Sequence, residues 1–436
     1  LRWRQQQLPT NPSEQGVYVQ PLPVQGSATD VFAEYDTVYG LAAADGHQVW
    51  HWAAGQAIYN MWPWHGAVIA LSGQVSSDAR LTALDPASGA VRWSLRLPQR
   101  GLLGSQALTA DGGLAMITPD GALAVADLTS GHIRWSRRLP GSAVPSPEPT
   151  PVQPPLSPVP VAEGRVVVGA SGGRAVGFDS QTGATLWTAS GLPGLPLLQA
   201  ADGLVLVNSG AMGPGIATAV TALSPATGRV AWRFDPGGYA LVAGAAPAGI
   251  ALSVSQPGFL FMVDPATGHV RWKAAAFAGS GGQAGQPPVA LVTARDVIMP
   301  EGQLGSSQRI VDRSATTGAV RWAAPVSGMI PTAVPLVTVG PWVITVTDPS
   351  APGNGTLSAV ASSSGRPGWR VSMPAAMFAP VAAAGGDVLA QPADPSYGCA
   401  LGGSGAVGSA AQPGSVSPGS ANPASSAAPP VPTPSG

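Results

Sequence analysis

The stretch Leu81-Thr82-Ala83-Leu84-Asp85-Pro86-Ala87-Ser88-Gly89-Ala90-Val91-Arg92-Trp93 decides the fold. Leu81 to Leu84 reads as a short apolar strand and Asp85 to Gly89 as a turn. Val91 and Trp93, two residues apart, are expected on one side of the next strand. The turn has a mechanism. Asp accepts hydrogen bonds from the backbone N–H groups that follow it, Pro presets φ, and Gly takes the left-handed conformation that closes a bulged hairpin. Asp264-Pro265-Ala266-Thr267-Gly268 repeats it closely, and Ser224-Pro225-Ala226-Thr227-Gly228 keeps it with Ser for Asp. Asp127 and Asp179 hold the same place without Pro.

A glycine followed four residues later by tryptophan occurs eight times: Gly46/Trp50, Gly89/Trp93, Gly131/Trp135, Gly183/Trp187, Gly228/Trp232, Gly268/Trp272, Gly318/Trp322 and Gly365/Trp369. The tryptophans are 43, 42, 52, 45, 40, 50 and 47 residues apart. A local motif on a period of about 45 residues marks a repeat architecture. Further apolar runs precede the hairpins, among them 165–169, 204–208, 250–254, 289–293 and 343–347. About four short strands per repeat is the pattern of a propeller blade. The expected fold is all-β, an eight-bladed β-propeller of four-stranded antiparallel blades.

Residues 17–400 are assigned to the propeller, 1–16 to an irregular leader and 401–436 to a Gly/Ser/Ala/Pro tail. The tail lacks the large apolar side chains that offset ordering entropy, so disorder is expected there. After Trp369 the chain starts a ninth unit, around 379–381 and 387–389, with no tryptophan hairpin. These strands are expected to complete the first blade and leave no unpaired ring edge. The 52-residue step contains the Pro-rich segment 144–160, expected to be an extended inter-blade loop.

Charged residues make up 10% of the 436, against about 25% in an ordinary soluble domain. With a net charge of −1 there is no electrostatic footprint for nucleic acid. Twenty arginines accompany the single lysine, Lys273, which with the abundant Ala, Gly and Pro reads as coding bias. One cysteine, Cys399, allows no intrachain disulfide. The chain starts Leu1-Arg2-Trp3-Arg4, which reads as a processed product. Arg and Trp commonly flank a membrane segment, so a removed signal and a membrane anchor upstream are the two readings of what preceded Leu1, the second giving peripheral or anchored attachment through a missing N-terminal segment. The most apolar windows, 240–254 and 329–347, contain Pro and fall within the repeat, short of the ~20 apolar residues a spanning helix needs.

The pattern Ala-x-Asp-x-x-x-Gly-x-x-x-Trp is met in full at Ala83, Asp85, Gly89 and Trp93. It resembles the tryptophan-docking repeat of the pyrroloquinoline-quinone-like (PQQ-like) propellers, over about residues 35–390. Asp127/Gly131/Trp135, Asp179/Gly183/Trp187 and Asp264/Gly268/Trp272 lack only the Ala, and Ala222/Gly228/Trp232 and Ala359/Gly365/Trp369 lack the Asp. The resemblance implies that each tryptophan packs between neighbouring blades, burying roughly 150–250 Å². Trp50, Trp93, Trp135, Trp187, Trp232, Trp272, Trp322 and Trp369 are therefore assigned structural roles, with Gly89, Gly131, Gly183, Gly228, Gly268 and Gly318. One branch of such propellers binds the quinone and calcium on the ring axis as dehydrogenases. The other is non-catalytic and includes the outer-membrane assembly lipoprotein. Many of the enzymes carry adjacent cysteines against the quinone, which Cys399 alone cannot supply, and no Cys-x-x-Cys-His is present. The expectation is a monomeric, non-catalytic, extracytoplasmic scaffold binding a protein partner on a loop face, with no catalytic, cofactor or metal residues. The alternatives are a PQQ- and calcium-dependent dehydrogenase with a degenerate site, and the sensor ectodomain of a membrane protein such as a kinase.

Tyr59, Trp62, Trp64 and His65 lie in the most aromatic stretch outside the motif, Tyr59-Asn60-Met61-Trp62-Pro63-Trp64-His65. They read as a partner hot spot or as rings filling a blade interface, the second being favoured. His47 and His51, ~13 Å apart on one strand, are too far apart to share an ion. Arg92, Arg134, Arg271 and Arg321 each precede a motif tryptophan, and alternation would place them on the opposite face. They read as solvated or stacked on an aromatic ring, with an acidic partner as the alternative. Gly403-Ser404-Gly405-Ala406-Val407-Gly408 follows no strand and opens no helix, so it fails as a phosphate loop. Asn354-Gly355-Thr356 is a glycosylation sequon only in a source that glycosylates.

Overall fold

The Asp85–Gly89 turn forms as its sequence dictates. The Asp85 carboxylate accepts hydrogen bonds from the N–H groups of Ala87 (3.0 Å) and Ser88 (3.1 Å), and Gly89 N–H donates to the Asp85 carbonyl at 2.8 Å. Gly89 has φ 70°, the left-handed region that a residue with Cβ enters at a cost. Ala83 then faces Trp93 across the hairpin and Leu84 faces Val91, so Arg92 is an extra, bulged residue. The same register shift occurs in all eight motif hairpins. It corrects the expectation that Val91 and Trp93 share a face. Their partners Leu84 and Ala83 are adjacent, so the two side chains point opposite ways. Val91 is accordingly exposed, as are Val230, Val270 and Val320 at the equivalent position.

The structure is a computed structural model that describes residues 3–6, 21–24, 27–73, 79–97, 106–118, 122–139, 161–192, 196–209, 219–238, 240–254, 258–275, 290–302, 308–326, 336–347, 355–373, 381–384, 387–390 and 397–402. The eight-bladed propeller is present, one four-stranded antiparallel blade per motif. In chain order the blades span 22–53, 58–96, 106–138, 161–190, 196–234, 240–275, 291–326 and 337–373. The first strands of blades one and two, and of each neighbouring pair from blade three to blade seven, touch one another, which makes the first strands the innermost. The motif strand is outermost in each blade.

Ring closure differs from the expectation. Blade one is complete within 22–53 and takes no C-terminal strand. Val381–Ala384, Asp387–Ala390 and Tyr397–Gly402 instead form a separate sheet, seated between blade eight and blade one. Its fourth strand is Trp3–Gln6, antiparallel to Tyr397–Gly402 with Trp3 opposite Ala400 and Arg4 opposite Cys399. Residues 3–6 are therefore a strand and not part of an irregular leader, and the last strand runs to Gly402, past the boundary set at 400. Sheet edges demand pairing, and the chain satisfies this with its two ends. The Pro-rich segment 144–160, Asn354, Gly403–Gly408 and the rest of the tail lie outside the described residues.

The core is a series of seams between blades. Ile69, Leu71 and Leu81 of blade two meet Leu114, Met116 and Leu128 of blade three. Ile298 and Ile310 of blade seven meet Leu336 and Val343 of blade eight. Val388 of the closing sheet packs with Ile344 and Leu357. The seams from blade one to blade eight are each bolted by a tryptophan. The Trp50 indole N–H donates to the Pro86 carbonyl in the turn of the next blade at 2.8 Å, and its ring lies against Gly89. Trp135, Trp187, Trp232, Trp272 and Trp322 donate likewise to Ser180, Pro225, Pro265, Ala315 and Ser362, each the second residue of the next motif turn. Six of the eight tryptophans are buried, at 6–8% exposure, whereas Trp93 and Trp369 are half-buried.

Candidate functional site

Antiparallel order places the turn between strands one and two of a blade at the same rim as the motif turn between strands three and four. The aromatic stretch sits at this rim. Ile58–Trp64 is the innermost strand of blade two, and a register shift between Ile58 and Asn60 breaks its alternation. Ile58 and Met61 are buried. Trp64 reaches into blade three: its ring covers Gly112, where a Cβ would stand 2.1 Å from the ring, and its N–H donates to Thr129 Oγ1 at 3.1 Å. Tyr59 and Trp62 are half-buried against the seam between blades two and three. Burial raises the Tyr59 hydroxyl pKa. Exposed His65, at φ 43°, meets the Trp64 ring edge-on at 4.5 Å. Trp64 thus fills a blade interface, while His65, Pro63 and the open sides of Tyr59 and Trp62 remain accessible.

The histidines of blade one do not converge. His47 Nδ1 lies 2.6 Å from the Asp45 carboxylate and His51 Nδ1 lies 3.3 Å from Gln48. Among the described residues no three His, Cys, Asp or Glu side chains gather to hold a metal ion.

The arginines before the tryptophans neither stack on rings nor stand free. Each is the bulged residue and turns back onto a carboxylate. Arg92 pairs with Asp85 at 2.7 Å and Arg134 with Asp127 at 2.7 Å. Arg271 pairs with Asp264 at 2.5 Å. In blade seven the turn residue is Ser314, and Arg321 takes Asp296 instead. Hydrogen bonds from Arg271 and then Thr267 hold the Asp264 carboxyl at about 2. Arg92 likewise lowers Asp85. The ladder braces its own hairpins.

Three carboxylate clusters escaped sequence reasoning. Asp111 accepts from Ser180 Oγ of the next blade at 2.8 Å and pairs with Arg134 at 3.2 Å. Burial raises its pKa, but the Thr109 and Ser180 hydrogen bonds and Arg134 outweigh this and the net shift is downward. Glu301, 4% exposed, takes Arg313 at 2.7 Å and Arg309 at 3.1 Å. Asp312, 2% exposed, lies directly across from Trp322. Only the last had a signal. It occupies the place of Ala83 in the motif, six residues before the turn glycine, where a carboxylate is out of pattern.

A quinone and calcium on the ring axis would need oxygen donors from the innermost strands. Calcium takes six to eight. The described innermost strands carry one carboxylate, Glu163, whose pKa is raised by burial and by the neighbouring Asp202. Among the described residues this donor set does not fit the ion.

The family model described as outer membrane protein assembly factor BamB, a PQQ-like repeat, matches residues 1–143, 77–210 and 216–299. The chain belongs to this family. No curated protein matches the sequence. Similar solved structures include BamB from Moraxella catarrhalis, at 16% identity over 88% of this chain and 95% of that one, TM-score 0.47. The europium-containing methanol dehydrogenase is 12% identical over 76% of this chain and 81% of its own, TM-score 0.48. Quinohemoprotein alcohol dehydrogenase from Comamonas testosteroni is 14% identical over 91% and 76%, TM-score 0.48.

Proposed function

We propose that this chain is a non-catalytic, extracytoplasmic propeller of the cell envelope that acts as a protein-binding scaffold. The observation that carries this reading is the match of residues 1–210 and 216–299 to the outer membrane assembly factor family. The site chemistry agrees with it. Among the described residues, the arginine–aspartate pairs and the N–H groups of six motif tryptophans are engaged in bracing hairpins and seams, as a rigid platform requires. The partner surface we assign is the rim around Tyr59, Trp62 and His65, where partly buried aromatics stand beside exposed polar groups, the composition of protein-binding hot spots.

Two arms test this. Purified protein is titrated with PQQ and Ca²⁺ and assayed for dye-linked alcohol and sugar oxidation. The expected result is neither stoichiometric binding nor turnover, and turnover would replace the scaffold reading with the dehydrogenase one. In the native host, photo-crosslinker at His65 is expected to capture one discrete envelope protein, with Trp62→Ala weakening the capture. Fractionation of the chain with the cytoplasm would overturn the location.

A further inference from the structure

The docking tryptophan of each blade rests on the residue opposite it in its own hairpin. That residue is Gly40, Ala83, Val125, Gly177, Ala222 or Met262 in blades one to six. In blade seven it is Asp312. The residue is 2% exposed, and its Oδ1 has no hydrogen-bond partner among the described residues. A buried carboxylate oxygen without a partner carries a desolvation cost that the neutral acid largely avoids.

The surroundings offer the charge little relief. Strand alternation puts Asp312 on the face that carries Ile298, Ile310 and Trp322, all in the seam with blade eight. On the neighbouring strand Asp296 lies two residues from Ile298, the partner of Asp312, and its negative charge opposes ionisation. Arg321 favours ionisation but is paired with Asp296. Arg313 lies on the opposite face and is held by Glu301. Blade eight presents Leu336, Val343 and Val360 to this seam. Arg370 of blade eight lines a cavity of about 90 Å³ in the same seam with Ile310, Ala324, Thr345 and Ser358. The seam thus has spare room against Ile310, two residues along the strand from the acid.

We propose that Asp312 makes the junction of blades seven and eight a pH-responsive joint, closed when the acid is neutral and loosened when it ionises beneath Trp322. Burial first, and Asp296 second, raise its pKa from 3.8 to about 6. The sign follows. A carboxyl whose folded pKa lies above its unfolded value stabilises the fold below pH 4, and this contribution is lost as pH rises to about 6. Ionisation loosens the point where the Trp322 N–H meets the Ser362 carbonyl at 2.8 Å and its ring meets Gly365. The shift of about two pKa units caps the change in the opening equilibrium at roughly 100-fold.

The test uses the full chain and the variants Asp312→Asn and Asp312→Ala, melted between pH 4.5 and 8. Differences from wild type cancel the titration of all other groups. Wild type is expected to lose stability relative to both variants between pH 4.5 and 6.5, with a constant gap above. Exchange of the Trp322 indole N–H, assigned through Trp322→Phe, is expected to rise several-fold over that window in wild type relative to Asp312→Ala. Parallel melting curves, or indole exchange with the same pH profile in wild type and Asp312→Ala, would overturn the proposal. Should Asp312→Asn not fold, Asp312→Ala carries the comparison alone, since Ala holds the same place in blades two and five.

Discussion

Gly228→Ala and Gly203→Ala form a matched pair that isolates the tryptophan dock. Both glycines have positive φ, 67° and 74°, so alanine is strained at either position by about 1–2 kcal/mol. They differ in what the new methyl group meets. At Gly203 nothing lies within 4 Å, whereas at Gly228 the Cβ would stand 2.3 Å from Trp187 Cε3 and 2.5 Å from Cδ2. The indole must retreat by more than an ångström. It then gives up its packing in the seam between blades four and five and its 2.6 Å hydrogen bond to the Pro225 carbonyl. Removing a buried ring outright costs about 3–5 kcal/mol, so a displaced one accounts for about 2–3 kcal/mol beyond the backbone term. Urea and thermal unfolding should therefore show Gly228→Ala well below Gly203→Ala. In a Trp187→Ala background the Gly228→Ala loss should shrink to that of Gly203→Ala, a coupling of about 2 kcal/mol. If the two single variants agree within about 0.5 kcal/mol, or if no coupling is measured, the glycine is needed only for its turn and the docking argument fails.

Arg4 stands opposite Cys399, the only cysteine, across the closing pair. Arg4→Cys should therefore form one intrachain disulfide on mild oxidation, seen by mass spectrometry, and an absent bond would contradict that register. Ending the chain at 378 removes three strands and orphans Trp3–Gln6, so light scattering should show aggregation. Ending it after Gly402 keeps every described strand and should leave the melting temperature unchanged. Trp135→Ala, at 6% exposure and with its hydrogen bond to Ser180, should cost about 3–5 kcal/mol. Trp93→Ala, half-buried, should cost clearly less by the same denaturation measurement.

Much of this architecture was legible because its causes are local. Asp85, Pro86 and Gly89 set a turn through their own backbone preferences, and recurrence every 45 residues or so announced eight blades before any contact was known. Propeller blades meet only their neighbours, so one repeat largely implies the next. The bulge was foreseen at the glycine, but its consequence for Arg92 and Val91 was not. Counting in twos assumes an uninterrupted strand, and the extra residue reverses every face beyond it.

Sequence by itself determined what lies within one hairpin's reach: the strand type, the turn chemistry, the blade count by motif and the place of each docking tryptophan. Tertiary structure alone decided what depends on pairing distant segments. Trp3–Gln6 and Tyr397–Gly402 carry no motif, and they become a sheet because the closed ring brings the two chain ends side by side. For Trp64 the sequence favours a blade interface without saying which, and blade three supplies it by placing Gly112 beneath the ring. Asp312 is out of pattern in the motif, but its burial follows only when blade eight and Trp322 exclude water from it. In each case the deciding quantity is burial by a neighbour remote in sequence, which no local preference encodes.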